Sequence, residues 1–218
     1  WKTQTGLINL CVAGYKPSVI FAADPVKLGF YRSKIRVSPK DRFLWHPREI
    51  ANHYGIDYRV VVHNSEDVAR MVSDYGLDLG IILGSRILKP VAIDCFRLGV
   101  MNMHPGVLPE NRGLDNIKWA ILKGLDQGVT THLINKKIDM GTLIEKEVIG
   151  VYPDDTLVDI HVRIQDLEQK LMISSIKKLQ EEGTDNLHML TEGEYHKSVP
   201  AEIEQTLMEK FEIYKRGM

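Results

Sequence analysis

Asn102 and His104 stand two residues apart at the end of an apolar run, within the segment MNMHPGVLPENRG at 101–113. On an extended strand, residues two apart project from the same face, so an amide and an imidazole would converge on one space. Pro105 biases His104 towards an extended backbone and carries that geometry to the strand end. An amide N–H beside an imidazole can polarise a carbonyl while the ring handles a proton or a developing charge. The same spacing also describes a strand end with a solvated histidine and a loop-capping asparagine.

Asp139 lies in the turn KKIDMG, two residues ahead of Gly141. A carboxylate close to an imidazole orients the ring and favours its charged form. Asp followed by Gly is equally common turn chemistry. His132, in HLINKK, reads as an inward strand residue satisfied within the core. The loop SRILKP at 85–90 puts Ile87 and Leu88 ahead of Pro90, where they either line an apolar slot or pin the loop to the core. The other six of the eight histidines are scattered without metal-ligand spacing, and Cys11 and Cys95 form no metal pair, so no metal site is expected. Neither a phosphate-binding Gly-rich motif nor a Gly-x-Ser-x-Gly elbow is present.

The elements that must position these groups follow from hydrophobic periodicity. Residues 3–13 have helical character, with Leu7, Leu10 and Cys11 on one face and Gly14 as a stop. Strands are expected at 18–24, 58–63, 78–84 and 97–104, with short helices at 47–54 and from Ser65 to about Tyr75 between them. A single helical turn is expected in SRILKPVAID. LDNIKWAILKG at 114–124 is amphipathic, with Ile117, Ala120 and Ile121 inward and Gly124 closing it. GVTTHLI at 128–134 and TLIEKEVIG at 142–150 should form an antiparallel pair. The longest helix, ending near residue 182, carries the stripe Leu157, Ile160, Ile164, Leu167 and Leu171. A helix is expected from about Pro200 to Lys215. This order predicts an open, mostly parallel, Rossmann-like α/β sheet with helices on both faces and an antiparallel C-terminal strand pair. In such sheets ligands sit beyond the carboxyl ends of the strands, where His104 falls.

The 218 residues suit a domain at 1–183 with a C-terminal extension at 184–218, largely helical. They are 44% hydrophobic and 26% charged with a formal net charge of −1, which gives no electrostatic footprint for gripping nucleic acid. Two distant cysteines fit a reducing compartment, and with no bilayer-spanning run or signal-peptide pattern a cytoplasmic location is expected. The stretch 25–46 carries Lys27, Arg32, Lys34, Arg36, Lys40 and Arg42 and reads as a long, basic, mobile or functional surface loop. Because the chain opens in helical residues, the strand that usually starts an α/β domain is expected upstream of Trp1.

Taken in order, Asn102, His104, Pro105, Leu108, Pro109, Arg112, Gly113, Gly128, Val129, Thr130, His132, Asp139 and Gly141 resemble the folate-dependent formyltransferase family. That family includes glycinamide ribonucleotide transformylase, the catalytic domain of methionyl-tRNA formyltransferase and the sugar N-formyltransferases. The resemblance runs from about residue 78 to 182. It implies 10-formyltetrahydrofolate as formyl donor and Asn102, His104 and Asp139 as the catalytic set. Asn102 would stabilise the developing oxyanion, and protonated His104 would do the same or pass a proton to the folate nitrogen. Asp139 would keep the ring charged and accept the amine proton, through water.

By position, Arg86, Ile87 and Leu88 with Asn135, Lys136, Lys137 and Ile138 would flank the pterin, and Arg112, Gly113, Thr130 and His132 would lie on the acceptor side. The family's first strand and Gly-rich loop are expected upstream of Trp1, Gly106 replaces the usual Ser, and no Pro stands at Asn116 or Ile117. WAILKG, Tyr195 and Pro200 look closest to the sugar enzymes. The expected acceptor is therefore a small amine, an amino sugar carried on a nucleotide, with glycinamide ribonucleotide second. A formyl-folate hydrolase and a methionyl-tRNA formyltransferase-like protein are further alternatives. No membrane or nucleic-acid partner is expected, and a homodimer is allowed for.

Overall fold

The computed structural model describes residues 2–24, 26, 33–40 and 45–217. Of the basic stretch, Lys27, Arg32 and Arg42 lie outside the described residues. The chain runs α1 (Lys2–Val12), β1 (Val19–Ala22), α2 (Pro47–Tyr54), β2 (Asp57–Val60), α3 (Glu66–Asp74), β3 (Leu79–Ile82), α4 (Pro90–Ile93) and β4 (Gly99–His104). It continues through β5 (Arg112–Gly113), α5 (Asn116–Lys123), β6 (Gly128–Ile134), β7 (Gly141–Val148) and α6 (Leu157–Glu182). It closes with β8 (His188–Met189), β9 (Tyr195–His196), α7 (Ala201–Glu204) and α8 (Leu207–Tyr214).

The open α/β architecture is present, with its two halves paired differently. β1 pairs with β2, and β3 with β4, in parallel. The expected antiparallel pair is β6 with β7, and β4–β6 and β7–β8 are antiparallel as well. The order in the five-stranded sheet is β3-β4-β6-β7-β8. A second parallel ladder joins β5 to β9, two residues each.

Alternation along β4 sorts its side chains. Met101 and Met103 enter a core with Leu133, Leu10 of α1 and Met172, Ile176 and Leu179 of α6, leaving Asn102 and His104 on the other face. The stripe Leu157, Ile160, Ile164, Leu167 and Leu171 packs with Ile117, Ile121, Leu207, Phe211 and Tyr214. α6 starts with a reciprocal cap, in which Asp159 N–H donates to Thr156 Oγ1 at 3.3 Å and Thr156 N–H to Asp159 Oδ2 at 2.8 Å. Such a cap contributes about 1 kcal/mol.

Two expectations are corrected. The C-terminal helix breaks at Gln205 and Thr206 into α7 and α8, and strands β8 and β9 precede it. The described part of the basic stretch is not a free loop: Ile35 and Val37 pack on the α6 core, and buried Lys118 donates to Ser33 Oγ and to Glu204 Oε1, both at 2.6 Å. That buried ion pair ties residues 33–37, α5 and α7 together. Ser65 has the extended backbone of a helix cap, yet its buried hydroxyl finds no partner.

Candidate active site

The β4–β6 register places Asn102 opposite His132 and His104 opposite Thr130. All four side chains therefore share one face of the sheet. Residues 135–140 connect β6 to β7 and fold back over that face. This return brings Asp139 Oδ1 to 3.3 Å from His104 Nδ1, although β6 has carried the chain away from His104. Asp139 adopts a left-handed backbone at φ 46°, which is strained for a non-glycine residue. Its Oδ2 accepts the Gly113 N–H at 2.9 Å. Burial pushes the Asp139 carboxyl up, but the hydrogen bond and charge of His104 and the Gly113 N–H outweigh it and hold the group below its ordinary value.

The far side of the His104 ring is closed by two asparagines. Nε2 lies 2.8 Å from the Asn111 carbonyl oxygen and 3.1 Å from Asn116 Nδ2. Asn116 Nδ2 also donates to the Asn111 carbonyl at 2.8 Å, and Asn111 Nδ2 to the Asn116 carbonyl at 2.9 Å. Both asparagines are buried. Each ring nitrogen thus faces an acceptor, a carboxylate on one side and a main-chain carbonyl on the other. Nε2 also faces the amide nitrogen of Asn116, a donor, so an acceptor and a donor meet at that ring nitrogen.

His132 is built in the opposite sense. Burial, with the nearby His104, pushes its pKa down to about 4, so the ring is neutral at pH 7. Its Nδ1 is 3.1 Å from the Met140 carbonyl and must carry the proton. Its Nε2 is then an acceptor for Asn102 Nδ2 at 3.3 Å. This fixes which end of the Asn102 amide is nitrogen and leaves the second N–H of Nδ2 for another acceptor. Thr130 holds the turn after His104, accepting from Leu108 N–H at 3.0 Å and donating to the Gly106 carbonyl at 2.8 Å.

The remaining expected residues divide into two groups. Ile82 pairs with Asn102, so the loop after β3 leaves the sheet beside the site. That loop is held by Asn64, which donates to the Ile87 carbonyl at 3.0 Å and accepts from Lys89 N–H at 2.7 Å, while Arg86 reaches the Asp24 carbonyl at 3.1 Å. Ile87 and Ile138 are uncovered, Leu88 is half-buried, and Lys136 and Lys137 are exposed. Asn135 Oδ1 accepts the Lys137 N–H at 2.8 Å and shapes that turn. By contrast Arg112, Gly113, Thr130 and His132 are all buried. Arg112 donates to the Gly193 and Ile138 carbonyls, both at 2.7 Å. Sequence reasoning missed Asn111 and Asn116. The one available signal was that Asn116 stands where a Pro was looked for. Among the described residues no group of three His, Cys, Asp or Glu side chains is arranged to hold a metal ion.

A family model described as formyl transferase matches residues 34–176, more than half of the chain and all three of Asn102, His104 and Asp139. The chain belongs to the formyl transferase family. Within it, the chain is 29% identical over 124 residues to the methionyl-tRNA formyltransferase of Chlorobium chlorochromatii, covering 54% of this chain and 40% of that relative. It therefore spans about two fifths of the length of that formyl transferase. The fold is also similar to glycinamide ribonucleotide transformylase 1 from Symbiobacterium toebii, with TM-score 0.63, 22% identity, and 83% of this chain and 82% of that one covered. A third family member, the formyltransferase PseJ from Anoxybacillus kamchatkensis, was solved with UDP-4,6-dideoxy-4-formamido-L-AltNAc and tetrahydrofolate. Its TM-score is 0.55 at 19% identity, covering 75% of this chain and 90% of that one.

Proposed function

We propose that this formyl transferase domain moves the formyl group of 10-formyltetrahydrofolate to the primary amine of a small acceptor, a nucleotide-linked amino sugar. The observation that carries the reading is the convergence of Asn102, His104 and Asp139 on one sheet face, each fixed by its own partner. The two loops at 86–88 and 135–138 fit the donor. Both are tied down by side-chain hydrogen bonds, and both offer uncovered isoleucines with main-chain groups between them. A flat heterobicycle suits such a slot.

When bound, the donor supplies an activated formyl carbon that the amine attacks, releasing the folate nitrogen. Asn102 would point its free Nδ2 hydrogen at the formyl oxygen as negative charge develops there. His104 would place a cationic ring beside the same charge, which these groups meet only in the transition state. Its two committed nitrogens favour a fixed electrostatic role over proton shuttling. Asp139 would offset the ring's charge and receive the amine proton through water. The departing folate nitrogen, as its bond to the formyl carbon breaks, would take a proton back from that water, so that no net proton is gained or lost.

The acceptor reading is supported by Tyr195. It pairs in register with Arg112, next to the Gly113 that holds Asp139, and is 40% exposed. An uncovered aromatic ring there suits stacking on a nucleobase. A second reading, methionyl-tRNA, is favoured by the curated relative. Incubation with 10-formyltetrahydrofolate and separate nucleotide-linked amino sugars, glycinamide ribonucleotide and methionyl-tRNA, read by mass, tests both. A formyl gain on an amino sugar alone supports the proposal. Gain on tRNA alone reverses the acceptor, and formate release without any amine identifies a hydrolase.

A further inference from the structure

We propose that Arg112 and the segment 187–199 form a brace that sets the position of Asp139, so that Arg112 is a positioning residue and not a ligand of the acceptor. What Asp139 does rests on the formyl-transfer reading; where Asp139 is held does not.

Asp139 sits in a six-residue connection with a strained backbone, and nothing in 135–140 alone would keep its carboxylate against His104. The structure supplies the restraint from outside, on both sides of the residue. Ahead of it, the Ile138 carbonyl accepts Arg112 Nη2–H at 2.7 Å. After it, the Gly141 carbonyl accepts the Leu190 N–H at 2.8 Å. The carboxylate itself is held by Gly113 N–H, one residue from Arg112.

These three points belong to one assembly. Arg112 Nη1–H donates to the Gly193 carbonyl at 2.7 Å, so a single planar guanidinium clamps 138 to 193. β9 pairs with β5, and Leu114 N–H donates to the His196 carbonyl at 2.9 Å. Beyond β9, Trp119 Nε1–H donates to the Lys197 carbonyl at 2.7 Å and Asp115 Oδ2 accepts the Val199 N–H at 2.9 Å. The contact is close throughout. A Cβ on Gly193 would lie 1.9 Å from the Pro109 carbonyl oxygen, and one on Gly113 would lie 2.0 Å from that of His196.

Arg112 is only 8% exposed, and burying a guanidinium is costly unless its donors are met. Nη1 and Nη2 donate to main-chain carbonyls of the two segments to be joined, while the buried Nε has no partner among the described residues. A rigid fork can satisfy both, whereas the single ammonium of Lys cannot span them with the same geometry. A group aimed at a substrate would present that fork outward.

The test compares Arg112→Lys and Gly193→Ala with the parent, one change from each side of the brace. Two measurements are made: steady-state kinetics, and the His104 ring resonances of the ligand-free protein by NMR, assigned with His104→Gln. The expected result is a kcat loss on the order of 10- to 100-fold with the amine KM within about threefold. The acid limb of the pH–rate profile moves, and the His104 Nδ1–H resonance shifts in both variants. A KM rise of about tenfold or more at unchanged kcat in Arg112→Lys would make Arg112 an acceptor ligand and overturn the proposal. His104 resonances unmoved in both folded variants would overturn it too, whatever happens to kcat. If Arg112→Lys does not fold, Gly193→Ala carries both measurements. Should the parent transfer no formyl group, the functional reading fails alone, and the resonances still decide the brace.

Discussion

His104 and His132 lie on paired strands with ring centroids 6.5 Å apart, and their surroundings are opposite. His104 faces a carboxylate on one side and a main-chain carbonyl on the other. His132 is sealed from water, faces one carbonyl and one amide donor, and is driven neutral. Identical side chains on one sheet face are thus given different partners, and only His104 sits against a carboxylate. In the proposed mechanism His104 stabilises developing negative charge and His132 orients Asn102.

His104→Ala removes the ring that the proposed mechanism sets beside the formyl oxygen and should lower kcat by roughly 10²- to 10⁴-fold, measured by formyl transfer under saturating acceptor. Asn102→Ala should cost about 10²- to 10³-fold in kcat, the usual loss for one oxyanion donor. A loss of only a few-fold in either would sink the mechanism. Asp139→Asn keeps the shape and deletes the charge facing Nδ1. It should reduce kcat by on the order of 10- to 100-fold and abolish the acid limb that protonation of Asp139, held below its ordinary value, sets in the parent. An unchanged profile would remove Asp139 from the set.

The smallest catalytic effect belongs to His132→Gln, which retains an acceptor for Asn102 and should cost no more than about tenfold. Its larger signature is in stability. With a folded pKa of about 4 against 6.5 in the unfolded chain, His132 lets the unfolded state bind more protons between those values. Its contribution is complete above about pH 6.5 and is lost as pH falls towards 4, by up to about 3 kcal/mol. Urea unfolding at pH 7 and pH 5 should show a smaller decline for His132→Gln than for the parent. Equal declines would place the acid sensitivity elsewhere.

The parts of this division carried by local pattern were legible in the sequence. Period two put Asn102 and His104 together, and the apolar stripe of α6 and the glycine after α5 read correctly. His132 was recognisable as a satisfied core residue. Asn111 and Asn116 were hidden because asparagines near a glycine look like turn chemistry. Only the fold shows them to be buried against an imidazole. The two-residue strands β5 and β9 are too short to show a period, and each one's parallel partner lies more than 80 residues away in sequence. Nothing local in IEQTLM announces the break between α7 and α8 either.

The bond from Gly113 N–H to Asp139 comes from the main chain, and this makes that one contact indifferent to which side chains stand beside it. An alanine at 113 would report the shape required of a glycine at φ 105° and never the bond itself. Neighbouring side chains such as Leu114 and Tyr195, which are uncovered, can change without loosening Asp139. A domain built this way can change the side chains at its rim while the cluster of Asn102, His104 and Asp139 stays fixed.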